Sequence, residues 1–183
     1  IITLMTQELE RYDHSPLGAI YAIKGCPMQE EPLHLIPQYQ RQRLARDLGI
    51  QVEGDLCLRC RYSLDHDYGR DNSRVLVQRI HFSQPQRVGS GSFVAASPQW
   101  QDLSRLVGAV DPAYQGEGHL DGGRGFRLDG ELEAANRGVM EFIDIFKCDQ
   151  RFLAAILEVT SEQRIRLNDY NSVHVDEVTV GHT

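Results

Sequence analysis

The sequence has no apolar run that approaches the roughly 18 residues a transmembrane helix requires, and no charged, apolar and small-residue signal segment opens it. Positive charge is also scarce. The 19 Lys and Arg residues are outnumbered by 26 Asp and Glu residues, and the formal net charge is −7. A general nucleic-acid-binding surface is therefore not favoured. These absences predict a cytoplasmic protein with neither a membrane nor a nucleic-acid partner.

Cysteine is scarce as well. The 183 residues contain four cysteines, which in a chain without secretory features favours free thiols over a disulfide framework. A chain of this length suits one domain that can bury a core without disulfides. Its content of 41% hydrophobic and 25% charged residues is typical of a globular protein.

The most informative stretch is LDGELEAANRGVMEFIDIFK, at residues 128–147. Its first half is rich in helix formers, and Gly138 is predicted to end that helix. The apolar run at 139–146 is typical of a strand buried on both faces of a parallel sheet. Glu141 and Asp144 interrupt it, and a buried carboxylate needs a partner. An acid at the carboxyl end of such a strand lies where α/β proteins bind ligands, and magnesium with a nucleoside triphosphate would suit it.

Hydrophobic periodicity and chain breakers predict the other elements. Helices are predicted over residues 1–12, 37–48, 57–68 and 149–162, a parallel strand over 19–23, further strands over 75–82 and 176–183, and a small hairpin over 164–175. The stretch RVGSGSF at 87–93 lacks the lysine and hydroxyl of a phosphate-binding loop, so it is interpreted as an ordinary loop. The glycine-dense segment 114–127 predicts a mobile loop or a hairpin tip.

The cysteines and two histidines are candidate ligands. Cys57 and Cys60 form a CxxC motif, and with Cys26 and His34 they would offer thiolates and an imidazole to a zinc ion. The alternative is two partly buried cysteines one turn apart on a helix, and no second CxxC or CxxH motif decides between the two. His81, on a predicted strand, is either a ligand or base, or a surface or internally satisfied residue.

Several blocks carry a family resemblance. They are ANRGVMEFIDIF at 135–146, AIYAIKGCPM at 19–28, EEPLHLIP at 30–37, QDLSRLVGAVD at 101–111 and DEVTVGHT at 176–183. The first resembles the Walker B region of AAA+ ATPases, and the set resembles the PrkA family of bacterial serine protein kinases. The blocks extend over the whole chain in family order.

The resemblance implies a P-loop NTPase-like AAA+ core of the α/β class, with a mainly parallel sheet flanked by helices and an inserted loop or hairpin. Residues 1–183 would be part of the AAA+ domain of a longer chain. A glycine-rich Walker A loop would lie before Ile1, and a polar sensor residue would follow Thr183. ATP and Mg²⁺ are the implied cofactors, and the fragment alone is expected to be inactive.

The resemblance also implies site residues. Asp144 aligns with the glutamate that activates water in related ATPases, although aspartate is one methylene shorter. Glu141 is a second catalytic candidate that would hold Mg²⁺ through water, or would form an ion pair with Arg137 or another cation. Asn136 and Arg137 are assigned to the nucleotide site, at a helix end that faces the neighbouring subunit in relatives. The alternative for these two residues is helix capping and support of the core.

The implied activity is that of an ATP-dependent protein serine/threonine kinase with a protein substrate and a possible homo-oligomeric state. Nothing in the sequence resembles the HRD and DFG elements of ordinary protein kinases. Two other functions therefore stay open. One is an AAA+ ATPase that remodels proteins or assists their degradation, and the other is a scaffold module that does not use nucleotide.

Overall fold

The computed structural model describes residues 2–95, 102–110, 125–166 and 172–182. The helices are α1 (Ile2–Asp13), α2 (Gln38–Leu48), α3 (Leu58–His66), α4 (Ser104–Val107), α5 (Glu131–Ala135) and α6 (Gln150–Glu162). The strands are β1 (Ile20–Ile23), β2 (Val77–Ile80), β3 (Ser90–Val94), β4 (Ala109–Val110), β5 (Phe126–Arg127), β6 (Val139–Ile143), β7 (Arg164–Arg166), β8 (Ser172–His174) and β9 (Val178–His182).

A parallel sheet lies at the centre of the described chain. Its strand order is β3-β6-β9, and Phe142 of β6 lies opposite Phe93 of β3 and Gly181 of β9. Strand β6 has a partner on each side, and Val139, Met140 and Phe142 are buried, while Glu141 and Ile143 are half-buried. The α/β class, with a parallel sheet flanked by helices, is confirmed.

The core forms where helices α5 and α6 cover one face of this sheet. The rings of Phe93 and Phe152 stack with centroids 5.2 Å apart, and Phe142 lies 6.2 Å from Phe93. Leu132 of α5 is fully buried beside them in the same cluster. The helix predicted over residues 149–162 is found, and Phe152, Ile156 and Val159 form its buried face, whereas Leu153 and Leu157, which the periodicity also placed on that face, are exposed. Helix α6 begins after Asp149, whose carboxylate accepts hydrogen bonds from the amides of Arg151 and Phe152.

The interpretation of residues 87–93 as a loop is wrong, because Ser90–Val94 form strand β3. Small residues are needed there for packing. A Cβ on Gly91 would lie 2.2 Å from the Glu131 carbonyl oxygen, so only glycine lets α5 approach the sheet this closely. The glycine that suggested a loop is the residue that permits helix-on-sheet contact.

The direction predicted for β1 is also wrong. Strand β1 pairs antiparallel with β2, with Ile20 opposite Ile80, and these two strands form a sheet of their own. Strand β2 is shorter than the predicted 75–82. Hydrophobicity identified both segments as strands but carries no information about their direction.

The connection from α5 to β6 departs from the prediction in two details. Asn136 caps the helix and Arg137, with φ of 68°, takes the left-handed conformation that the sequence assigned to Gly138. Gly138 is needed for a different reason, because a Cβ there would lie 2.0 Å from the Gly89 carbonyl oxygen. The strand then ends at Ile143 instead of residue 146.

The remaining predicted elements are found with small shifts. Helix α2 ends at Gly49, which has φ of 69°, and helix α3 begins after Cys57. Strands β7 and β8 pair antiparallel, while residues 167–171 between them lie outside the described residues. Strands β4 and β5 also pair antiparallel. Residues 114–124, most of the glycine-dense segment, lie outside the described residues, so the mobile loop stays a prediction.

Candidate functional site

Asp144 lies directly after β6, at the carboxyl edge of the parallel sheet. It adopts a left-handed conformation with φ of 59°, which Asp tolerates better than most residues, and it precedes the 3-10 turn Ile145–Lys147. Its carboxylate oxygen Oδ2 lies 2.7 Å from Nζ of Lys147. Because one third of the Asp144 side chain is exposed, its carboxylate is accessible to a ligand. The sequence singled out Asp144 but missed Lys147, although a cation three residues away was the available signal.

Glu141 occupies the middle of β6 and is half-buried. Its Oε2 accepts a hydrogen bond of 3.2 Å from the hydroxyl of Ser92 on β3. Successive side chains of a strand point to opposite faces, so Glu141 projects away from the face that carries Met140 and Phe142. Ser92 was not identified from the sequence, because it lay in the segment taken for a loop.

Asn136 is buried and bridges two segments of the chain. Its Nδ2 donates to the Met28 carbonyl at 2.7 Å, and its Oδ1 accepts from the Asp176 amide at 2.9 Å. The turn after β1 and the segment before β9 are thereby held to the end of α5. These contacts are those expected for core support. A role for Asn136 in nucleotide binding stays a prediction.

Arg137 points its guanidinium towards backbone carbonyls. Nη1 donates to the carbonyl oxygens of Tyr21 and Gln29, and the backbone amide of Arg137 donates to Asp176. Burial lowers the pKa of Arg137, against the opposing charges of acidic neighbours led by Glu31. The guanidinium thus helps to fasten β1 to the parallel sheet, and its assignment to the nucleotide site likewise stays a prediction.

Three of the four cysteines come together beneath α3. Cys26 follows β1, Cys57 caps α3 and Cys60 lies in its first turn, and all three are buried. The sulfur atoms of Cys26 and Cys57 are 3.7 Å apart, and the Cys60 amide lies 3.4 Å from the Cys57 sulfur. All of them are free thiols. The sequence proposed this grouping from the CxxC spacing together with Cys26.

Glu30 completes the thiol cluster in place of His34. One ligand atom from each of Glu30 and the three cysteines lies within 4.8 Å of every other. The Glu30 Oε2 accepts from the Cys57 amide at 2.8 Å, and its Oε1 lies 2.5 Å from Nδ1 of His34. His34 is therefore the neighbour of the fourth group and not that group itself, which corrects the set taken from the sequence.

The electrostatics of the thiol cluster favour a thiolate at Cys26. Hydrogen bonds from Cys57 and Cys60 lower the pKa of Cys26 and outweigh its burial. The hydrogen bond with Cys26 raises the pKa of Cys57 and that of Cys60. Burial lowers the pKa of His34, but the hydrogen bond and charge of Glu30 outweigh it and leave the net shift upward.

His81 is internally satisfied. Its Nδ1 lies 2.9 Å from Oδ2 of the fully buried Asp13, which also accepts from the Phe82 amide at 3.0 Å. This arrangement joins the end of α1 to the end of β2. It matches the structural alternative for His81, and a role as ligand or base is untested.

An apolar groove of about 700 Å³ lies beside α1. Its walls include Leu4, Met5 and Leu9 of the helix and the first residues of β6 and β9, Val139 and Val178. It therefore opens at the amino ends of these strands, whereas Asp144 lies at their carboxyl edge. The groove is separate from Asp144, but Arg137, which the resemblance assigns to the nucleotide site, is one of its lining residues. Within the described residues, no helix combines the length and apolar character needed to cross a bilayer.

The parallel sheet, the covering helices and the acid at the strand's carboxyl edge define an α/β domain. A sequence model of the family described as the PrkA AAA domain matches residues 1–183, and the chain belongs to this family. The family resemblance read from the sequence is confirmed.

Two curated relatives are similar over most or all of the chain. The "ATP-dependent protease PrkA" of Bacillus subtilis (strain 168) is 41% identical over 184 residues, which cover 100% of this chain and 29% of that protein. The "Serine/threonine kinase YeaG" of Escherichia coli (strain K12) is 27% identical over 139 residues, which cover 74% of this chain and 22% of that protein. The chain spans less than a third of the length of either relative.

Solved structures show weaker likeness. A model of the complex between the BchI and BchD subunits of magnesium chelatase matches 89% of this chain and 38% of its own chain, with a TM-score of 0.47 and 17% identity. The NtrX structure from Brucella abortus matches 54% of this chain and 20% of its own, with a TM-score of 0.40 and 19% identity.

Proposed function

We propose that this chain is the ATP-binding AAA domain of a protein serine/threonine kinase of the PrkA family. The observation that carries the proposal is the position of Asp144, an accessible carboxylate at the carboxyl edge of the central parallel strand. In open α/β sheets, ligands bind at that edge. Membership of a family described as an AAA domain makes ATP the ligand to test first.

The residues at this edge fit a magnesium-bound nucleotide in part. Asp144 offers a carboxylate that would hold Mg²⁺ through a water molecule or orient the attacking group, and Lys147 offers a cation beside it. Bound Mg²⁺ would neutralise charge that develops on the phosphoryl group being transferred. The glycine-rich loop that the resemblance places before Ile1 would supply the phosphate-binding amides. Glu141, steadied by Ser92, is the second carboxylate for a water-mediated contact.

In this proposal the ion pair between Asp144 and Lys147 represents the resting arrangement. The pair fixes the direction of the carboxylate without burying it. The left-handed backbone of Asp144 turns the chain sharply at the strand end, so the carboxylate is presented on a rigid element. Asparagine would keep the shape and the turn but lose the charge.

Replacing Asp144 in the intact protein tests this role. Asp144→Asn is expected to leave Mg-ATP binding by calorimetry nearly unchanged and to lower ATP turnover by about 10²–10⁴-fold, the usual contribution of a positioned acid or base. Asp47→Asn, on the exposed α2, is the matched control and is expected to behave as the unmodified protein. Full turnover by Asp144→Asn would remove Asp144 from the mechanism.

The fate of the γ-phosphoryl group distinguishes kinase from ATPase. With γ-labelled ATP, the kinase proposal expects a stable phosphoserine or phosphothreonine on a protein substrate. Released phosphate without labelled protein would favour the second candidate, an ATPase that remodels proteins or assists their degradation. The name of the Bacillus subtilis relative, an ATP-dependent protease, favours testing this candidate. Absence of any Mg-ATP affinity would leave the scaffold function.

A further inference from the structure

We propose that Cys26, Cys57, Cys60 and Glu30 bind one zinc ion. The site lies where the turn after β1 meets the start of α3, apart from the carboxyl edge that carries Asp144. It is independent of the nucleotide function proposed above. Its ligands are three sulfurs and one carboxylate oxygen, a donor set that zinc accepts.

The spacing of the sulfurs fits a tetrahedral ion. A Zn–S bond of about 2.3 Å places two sulfurs of a regular tetrahedron about 3.8 Å apart. Cys26 and Cys57 are 3.7 Å apart, and all four ligand atoms lie within 4.8 Å of one another. A disulfide requires about 2.05 Å. The resting distance thus matches two ligands of a shared ion.

Burial favours a structural ion over a catalytic one. Cys57 is 2% exposed and Glu30 is 3% exposed, so a metal at this position would have no open coordination position for substrate. Four anionic ligands with Zn²⁺ carry a net charge of −2, the same as in a four-cysteine site. The contacts of Glu30 with His34 and with the Cys57 amide hold this buried acid beside the thiols.

His34 acts on the site through Glu30. Its Nδ1 lies 2.5 Å from the Glu30 Oε1, while the Cys57 amide donates to the other oxygen. These two contacts fix the orientation of the carboxylate beside the sulfurs. Hydrogen bonds that hold a metal ligand in its orientation affect the affinity of the site for the metal. His34 is therefore a positioning residue.

Each cysteine loses a proton to solvent when the ion binds. The three sulfurs and a Glu30 carboxylate oxygen already lie within 4.8 Å of one another, so the chain would need little rearrangement to hold the ion. The bound ion would join the first antiparallel strand pair to the helix that follows it.

Metal content of the intact protein is the first test. Elemental mass spectrometry is expected to find one zinc per chain in the unmodified protein and in Cys148→Ser, a buried cysteine outside the thiol cluster. Cys60→Ser is expected to contain none. Absence of stoichiometric zinc from protein purified without chelators, or an equal zinc content in Cys60→Ser, would overturn the proposal.

Cobalt substitution supplies a test that needs no variant. Metal-free intact protein titrated with Co²⁺ is expected to develop the visible bands of tetrahedral cobalt and the near-ultraviolet bands of thiolate-to-cobalt charge transfer, and Zn²⁺ should abolish both. A spectrum of six-coordinate cobalt, or a Cys26–Cys57 disulfide found by alkylation and mass spectrometry in place of metal binding, would overturn the site.

A substitution of His34 tests whether this residue positions the Glu30 carboxylate for zinc binding. His34→Gln is expected to keep the tetrahedral cobalt spectrum and to lower zinc affinity by about 10–100-fold, measured by competition with a chromophoric chelator. His66→Gln, an exposed histidine on α3, is the control. Unchanged affinity in His34→Gln would show that His34 is not a positioning residue for the Glu30 carboxylate.

Discussion

Glu133 is a carboxylic acid on α5 that is 1% exposed, and both of its oxygens lack a hydrogen-bond partner within the described residues. Burial raises its pKa from 4.5 to about 8, with the charge of Asp129 acting in the same direction. Burial likewise raises the pKa of Glu177 to about 8. Both acids are therefore protonated in the folded protein at neutral pH, since an unpartnered buried charge is costly.

The sign of the resulting pH dependence follows from linkage. Between pH 4.5 and about 8 the folded state holds protons that the unfolded state has released, so stability falls as pH rises and levels off above pH 8. Glu133→Gln removes one of the two acids, and we expect it to stabilise the protein on the order of 1–3 kcal/mol at pH 7. Glu177 still contributes to the decrease of stability with rising pH in this variant.

Thermal unfolding of the intact protein across this pH window measures the effect. The midpoint of Glu133→Gln should fall less steeply with rising pH than that of the unmodified protein. The exposed Glu162→Gln, on α6, should follow the unmodified protein. Identical slopes in Glu133→Gln and the unmodified protein would show that Glu133 ionises normally.

At the scale of elements, Asn136 joins pieces that are distant in sequence. It holds the Met28 carbonyl and the Asp176 amide to the end of α5. Asn136→Ala removes the partner of both backbone groups, at roughly 1–3 kcal/mol for the buried Met28 carbonyl. The cost for the Asp176 amide is smaller, because Asp176 is exposed to water. We expect a lower unfolding midpoint with Mg-ATP affinity reduced only in proportion to the unfolded fraction.

This comparison separates the two interpretations of Asn136. If ATP affinity of the folded Asn136→Ala protein falls well beyond the loss of stability, the residue contributes to the nucleotide site as the resemblance implied. Asn72→Ala is a matched control, because Asn72 also donates to a backbone carbonyl, that of Leu35, far from Asp144 in the chain.

Hydrophobic periodicity predicted the elements that have one strongly apolar face or one continuous apolar run. Helix α6 and strand β6 were identified because their apolar residues repeat at the spacing of one buried face or form one continuous run. Strand β3 was missed because its close contact with α5 requires Gly91, and the small residues Ser90 and Gly91 give no hydrophobic signal. The direction of β1 was missed because pairing partners depend on tertiary folding.

The same limit applies to the candidate sites. Asp144 could be selected from the sequence, since the acid ends a recognisable strand. The places of Lys147 and Ser92 in the site could not be predicted, because they depend on the turn after β6 and on the neighbouring strand. In the thiol cluster, spacing identified the cysteines, but only the fold shows that Glu30 faces the sulfurs and that His34 lies behind it.

At the scale of the whole molecule, the thiol cluster joins the turn after β1 to the start of α3. Strands β1 and β2 form their own small sheet, and Ile23 and Met28 belong to the same buried apolar cluster as Phe142 of the parallel sheet. A zinc ion there would bind the folded state preferentially. Its stabilisation is about 2.7 kcal/mol when free zinc exceeds the dissociation constant 100-fold.

Removal of the zinc ion should therefore lower the stability of the folded protein by a measurable amount. Removing zinc from the intact protein with a strong chelator is expected to lower the unfolding midpoint on the order of 5–10 °C, and added zinc should restore it. Cys148→Ser should respond in the same way, whereas Cys60→Ser should start from the lower midpoint and ignore the chelator. An unchanged midpoint after verified loss of zinc would show that the ion does not stabilise the folded protein, because preferential binding to the folded state must appear as stability.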